Sequence, residues 1–257
     1  YDEYVVGYSQ SKPLLNLAGR ALIQDRPVFN GVAILDGQVA GHWKRTIGRG
    51  AVAFEVALYE PFDDAQAKAL QDADQQYALG EKTKDVPAMA GDLQLKGNIL
   101  LEMGRHNEAK GLYERSLKMT EDSNLSQEIK DNARRTLHFN LARVAAAKKD
   151  FAAAKTEAEE FRKGAEATKN PVQIRLAREL AGIIALAEKN WDTALSELQQ
   201  ANQQNPQNLY RMCQAYQGKG DAAKAKELCG QAAEFNSLPA LNYAFVRTKA
   251  KAAADKG

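Results

Sequence analysis

This chain is short of the residues that most often announce chemistry. Its 257 residues include two cysteines, Cys213 and Cys229, and three histidines, His42, His106 and His138. Two cysteines cannot build a disulfide framework, and neither is spaced with a histidine as a zinc site requires. They read as buried structural thiols, with redox coupling between them as the alternative. The histidines sit alone in unlike contexts, so no metal or triad role is expected. A Gly-rich phosphate loop of the Walker type is absent, and "GRG" (Gly48–Gly50) is too short to serve as one. Asp63–Asp64 reads as a helix start rather than an acid/base pair. No apolar run approaches the roughly 18–20 residues of a membrane span. Charge of one sign is missing too. The net charge of +2 on a chain with 26% charged residues gives no reason to expect a dedicated nucleic-acid or membrane protein.

What is present changes character along the chain. Residues 1–80 hold 7 Lys/Arg against 10 Asp/Glu, whereas the remainder holds 28 against 23. The first region reads as strand-rich. "DG" (Asp36–Gly37) between Val32–Leu35 and Val39–Ile47 is a strong hairpin signal, because both turn positions favour positive φ. Ala51–Glu60 continues as a third strand after the Gly48–Gly50 turn, which predicts a three-stranded antiparallel meander. Val39, Gly41, Trp43 and Arg45 then share one face of the middle strand, and His42, Lys44 and Thr46 the other. Pro61 stops the sheet. A helix follows over about 63–78, with Ala67, Leu70 and Tyr77 among its apolar positions. Residues 81–88, "EKTKDVPA", are polar, contain Pro87 and read as a linker.

From about Met89 the grammar is helical throughout. The clearest unit is "LAGIIALAEKNWDTALSELQQANQQNP", Leu180–Pro206. Gly182, Ala194 and Ala201 let two antiparallel helices approach closely, while Trp191 and Leu198 fill the space between neighbouring pairs. Related spacing recurs three times. It places Gly97, Gly104, Ala109, Tyr113 and Ser116 in one unit, and Ala142, Asp150, Phe151, Ala154 and Ala158 in another. A last unit has Cys213, Tyr216, Gly220, Asp221, Ala225, Cys229 and Ala232. The period is uneven: His106 to Phe151 is 45 residues, Phe151 to Trp191 is 40, and Trp191 to Ala222 is 31. Longer helices or loops are expected where it stretches. "LPALNYAFVRTKAKAAADK" then reads as a capping helix, which a stacked array needs to cover its last apolar face.

Two resemblances follow from these residues. Residues 89–257 resemble four tetratricopeptide repeats with a C-terminal cap. Residues 1–80, through "YDEYVVGY", "NGVAILDGQVAGHWKRT" and the strand–Pro–Phe–helix ending, resemble the C-terminal part of winged-helix DNA-glycosylase-like proteins. Some members of that family excise alkylated bases or unhook DNA crosslinks. By that resemblance the catalytic motif would lie upstream of this chain, so no catalytic residue carries over. The N-terminus reads as truncated, and the change of grammar near residue 81 raises the prospect of two halves from different gene products. The expected fold is mainly α: a tetratricopeptide-type α-solenoid preceded by a small α+β fragment.

The expected function is a non-catalytic scaffold, without cofactor, metal or membrane, that binds a protein or peptide on the concave face of the solenoid. Counting from the small residue of each first helix, the groove candidates are Gln94, Asn98, Phe139, Arg143, Glu179, Ile183, Tyr210 and Gln214. Some repeat proteins of this family clamp a terminal carboxylate with Lys, Arg and Asn. Here only Asn98, Asn140 and Arg143 suggest it, so that ligand is not implied. The alternative function is DNA association, with Trp43, Lys44, Arg45 and Arg49 touching duplex while the repeats recruit a partner. Without any visible targeting segment, the expected location is cytoplasmic.

Overall fold

The computed structural model describes the backbone of residues 32–35, 38–48, 51–58, 65–235 and 241–255, and side chains over 69–235 and 246–255. The chain divides into two units, Tyr1–Ala65 and Gln66–Gly257. In the first, three strands form an antiparallel sheet in sequence order: β1 (Val32–Leu35), β2 (Gln38–Gly48) and β3 (Ala51–Leu58). On β2 the backbone of Trp43 pairs with Val56, Lys44 with Glu55 and Arg45 with Phe54. The side chains of Trp43, Lys44 and Arg45, and Arg49 altogether, lie outside the described residues. So does the expected packing of Trp43 on the following helix.

Ten helices account for the described part of the rest: α1 (Ala65–Thr83), α2 (Val86–Glu102), α3 (His106–Glu121), α4 (Gln127–Ala147), α5 (Phe151–Thr168), α6 (Pro171–Ala187), α7 (Trp191–Leu198), α8 (Pro206–Lys219), α9 (Ala222–Glu234) and α10 (Leu241–Ala254). Their starts are written locally. Asp85, Ser126, Asp150, Asn170, Asn190, Asn205 and Asp221 each accept a backbone N–H of the first turn, satisfying a donor the helix leaves orphaned. Pro171 and Pro206 follow their caps directly, at positions where a missing N–H costs nothing.

The segment 81–88, expected as a linker, is no linker. Residues 81–83 end α1 and 86–88 begin α2, so only Lys84 and Asp85 lie between helices. Pro87 sits in the first turn of α2, where proline is compatible with a helix. Polar composition there marks a helix-to-helix turn.

The helices pack as antiparallel pairs, α2 with α3, α4 with α5, α6 with α7 and α8 with α9, and each pair packs on the next. The arrangement is that of an α-solenoid. Small residues permit it. A Cβ on Gly182 would come within 2.6 Å of the Leu198 side chain and 3.3 Å of its backbone nitrogen. Gly97 faces the ring of Tyr113 in the same way, and Trp191 lies against Gly218 of the following pair. Leu198 is fully buried among Ala185, Leu209 and Met212, which joins the third and fourth pairs in one core. The uneven period is a matter of helix length: α4 and α5 have 21 and 18 residues, whereas α8 and α9 have 14 and 13.

The last pair corrects the expectation for the cysteines. Cys213 on α8 and Cys229 on α9 form a disulfide, with Cα atoms 5.4 Å apart. They occupy facing small-residue positions of two antiparallel helices, and the close approach that such positions allow is also the approach a disulfide requires. Both are fully buried, beside Ala225 and the last turn of α10.

Candidate functional site: the inner face of the helical pairs

The first helices of the pairs form one wall. Helices α4 and α6 touch, as do α6 and α8, and α8 touches α10. Side chains on α2 and α4 continue the row. Arg143 on α4 donates to Asn98 Oδ1 on α2 at 2.8 Å and to Asn140 Oδ1 at 3.3 Å. The same Asn98 oxygen accepts the Tyr113 hydroxyl at 3.0 Å. The Arg143 guanidinium lies 5.6 Å from the centroid of Phe139, whose ring packs at 59° on Phe161. Burial, with Glu102 adding to it and Arg143 opposing it, pushes the Tyr113 phenol up to about 12. Tyr113 is therefore a neutral donor across the ordinary pH range.

Further along, Glu179 on α6 is the centre of a second network. Its carboxylate accepts from Arg211 Nη1 at 2.9 Å, Asn208 Nδ2 at 3.0 Å and Asn205 Nδ2 at 3.4 Å, all contributed by α8 or its cap. Arg211 also donates to Asn208 Oδ1 at 2.8 Å and Gln207 Oε1 at 3.3 Å. Burial alone would raise the Glu179 pKa. The Arg211 charge, the Asn208 hydrogen bond and the nearby Arg143 charge outweigh it and hold the carboxyl below its usual range. A buried carboxylate thus stays ionised because two guanidinium groups flank it. The Nε2 of Gln207 is buried without an acceptor.

The expected groove residues differ in what they already touch, and Gln94, Ile183 and Tyr210 are half-buried. Gln94 turns into its own pair and donates to Ser116 Oγ at 3.3 Å. Ile183 packs on the core of the second pair, and Tyr210 on those of the third and fourth. Glu179 is only 6% exposed. Asn98, Phe139, Arg143 and Gln214 are half-buried on the wall. A carboxylate clamp is not poised here, since Arg143 already engages the oxygens of both Asn98 and Asn140. The count missed Arg211, Asn205 and Asn208. None of the three stands in either counted register, and Asn205 is the cap that precedes α8. The outer side is less featured. A cleft of about 320 Å³ lies between α5, α6 and α7 on a floor of Ala158, Ala177 and Ala181. Its rim charges are already paired, Lys155 with Glu188 and Arg162 with Glu159 and Glu166. Among the described residues no cluster of His, Cys, Asp and Glu could hold a metal ion, and no helix is long and apolar enough to cross a membrane.

Residues 93–123 match the tetratricopeptide repeat model, and they cover most of α2 and all of α3. That supports a tetratricopeptide-like protein and with it a role in holding other proteins. No curated protein matches the chain. Among solved structures, the crystal structure of BtubC (BKLC) from P. vanneervenii is similar at 13% identity and a TM-score of 0.41, over 76% of this chain and 90% of that one. A likeness at that level carries no argument about function.

Proposed function

We propose that the helical unit is a protein-interaction scaffold whose inner wall, from Asn98 to Gln214, receives an extended peptide or helix of a partner. The observation that carries this reading is the polarity of that wall. Along its first helices it carries an aromatic–guanidinium pair, Arg143 with Phe139, and the half-buried amides of Asn98 and Gln214. Rigid, directional groups on a continuous helical wall suit recognition of peptide backbone and side chains. Duplex DNA is the alternative partner, through Trp43, Lys44, Arg45 and Arg49. No observation among the described side chains favours it.

The test is selection of peptides from a random display library on the whole chain, followed by affinity measurement on variants. Enriched peptides should lose tenfold or more with Arg143→Ala or Gln214→Ala, and bind unchanged to the outer-face variant Lys163→Ala. Enrichment that is indifferent to Arg143 and Gln214 would place recognition elsewhere and defeat the reading.

We also propose an oxidising compartment in place of the cytoplasmic location expected from the sequence. A fully buried disulfide supports this, because reducing cytosolic pools keep most protein thiols reduced.

A further inference from the structure

The row of first helices does not end open. Lys249 on α10 places its Nζ 2.9 Å from Glu102 Oε2 on α2, a contact between residues 147 positions apart. Because α10 already rests on α8 and α9, this contact joins the last member of the inner wall to the first. The row α2, α4, α6, α8, α10 therefore returns on itself. Its successive links are the Asn98–Arg143 hydrogen bond, three direct helix contacts and the Lys249–Glu102 ion pair.

These links differ in kind. Val246 and Ala250 are buried in the core shared by the third and fourth pairs, and Ala253 and Ala254 lie against the Cys213–Cys229 cluster. One side of α10 is thus anchored by apolar packing on a cross-linked platform. Among the described residues, its link to α2 is an ion pair with side chains 46% and 22% exposed, a contact that water and salt weaken. A helix fixed firmly on one side and held weakly on the other can release the weak side without unfolding.

We infer that α10 is a clasp. It closes the inner face onto the first pair through Lys249 and Glu102, and a partner segment enters when that pair opens. The consequence for binding rests on the inner-face reading above. The clasp itself does not, since it is visible without a partner. Opening the pair exposes Glu102 and Lys249 together, so a segment with charges of both signs would meet complementary groups at the entrance.

Hydrogen–deuterium exchange on the full chain tests this. Lys249→Glu sets two carboxylates against each other and should speed exchange roughly two- to fivefold, the range an exposed pair supports. The faster exchange should appear both in α10 and in the last turn of α2, although α2 carries no mutation. The double variant Glu102→Lys with Lys249→Glu should restore both segments, because it re-forms the pair in reverse. Added salt should loosen α10 in the natural chain and leave Lys249→Gln indifferent. Unchanged exchange at α2 in Lys249→Glu, or a double variant no better than the single ones, would overturn the clasp. Neither result bears on peptide selection at Arg143 and Gln214, so the two readings fail separately.

Discussion

The second and fourth helical pairs solve the same problem by different means. The second, α4 and α5, has 39 residues of helix (21 and 18), no cross-link, and a core of Ala142, Ala146, Ala154, Phe161 and Ala165 reaching Leu180 and Ile184 of the next pair. The fourth, α8 and α9, has 27 (14 and 13); Leu209, Met212, Ala215 and Ala232 join the core of the third pair, and Cys213, Ala225 and Cys229 form a small cluster of their own around the cross-link. Apolar burial contributes in proportion to area, at about 25 cal/mol per Å², so the shorter hairpin has less helix surface to draw on. The fourth pair makes up the difference with a covalent bond inside and a buried charge network towards α6. A solenoid can thus lengthen a pair or fasten it, and this chain does both within one array.

The comparison breaks most severely at the charge network. Glu179→Ala leaves Arg211, whose side chain is 14% exposed, and the fully buried Asn208 without their shared acceptor. Removing one partner of a buried pair costs about 3–5 kcal/mol, most of it the stranded charge. Urea denaturation should read that loss, and hydrogen exchange should assign it to α8 and α9 while α4 and α5 keep their protection. Equal loosening of the second pair would mean the two are not independently held. The same group sets an acid dependence. Its folded pKa lies below the unfolded value, so its stabilisation is complete above the unfolded value of about 4.3 and fades as pH falls through the folded one. A denaturation series below pH 5 should be flatter in Glu179→Gln than in the natural chain.

Next in size is the disulfide. Closing a loop between residues 16 apart restricts the unfolded chain and contributes about 3 kcal/mol. Cys213→Ala with Cys229→Ala should lower stability by about that amount, and the faster exchange should be confined to α8, α9 and α10. Because both sulfurs are fully buried, a dithiol should reduce the natural bond only as fast as the last pair opens. Mass spectrometry of alkylated protein would follow this, with no free thiol found before denaturation. Rapid reduction of the folded chain would show the fourth pair to be open far more often than its packing implies.

How much of this was legible beforehand depended on the range of the interaction. Helix pairing could be read because it is local: Gly182 against Leu198, Gly97 against Tyr113 and the caps at Asp150, Asn190 and Asp221 all lie within one hairpin. The disulfide was half legible. One repeat unit of the sequence holds both Cys213 and Cys229, and redox coupling is the alternative reading there, but a count of two argues against a framework and hides the single bond. The inner wall was least legible, because it is built across pairs. Register alone places Glu179 in the groove row, whereas in the structure it is buried in a hydrogen-bonded network that also brings in Arg211 from outside the count. Residues 81–88 misled for another reason. Polar composition cannot separate a linker from a two-residue turn, and only the cap on Asp85 decides it.

The smallest effect tests the comparison most finely, at the turn inside each pair. In the second pair the helix ends on Lys149 at φ 62°, and in the fourth on Gly220 at φ 79°. The two turns are otherwise alike: Asp150 N–H bonds to Ala145 O at 2.9 Å and Asp221 N–H to Tyr216 O at 3.0 Å, and each aspartate caps the next helix. A left-handed conformation costs an L-residue about 1–2 kcal/mol, while glycine loses about 0.5–1 kcal/mol more entropy on folding. A lysine at a helix C-terminus recovers part of its penalty from the helix dipole. Lys149→Gly should therefore stabilise the chain by about 0.5 kcal/mol, and Gly220→Lys should destabilise it by a similar amount. A Cβ on Gly220 would meet nothing within 4 Å, so the loss there would be conformational and not a clash. If Gly220→Lys costs several times more than Lys149→Gly gains, the short fourth pair is the less tolerant of strain. The disulfide would then be compensating for a marginal hairpin. Equal and opposite shifts in urea midpoint would mean that the cross-link has made the two pairs equally robust.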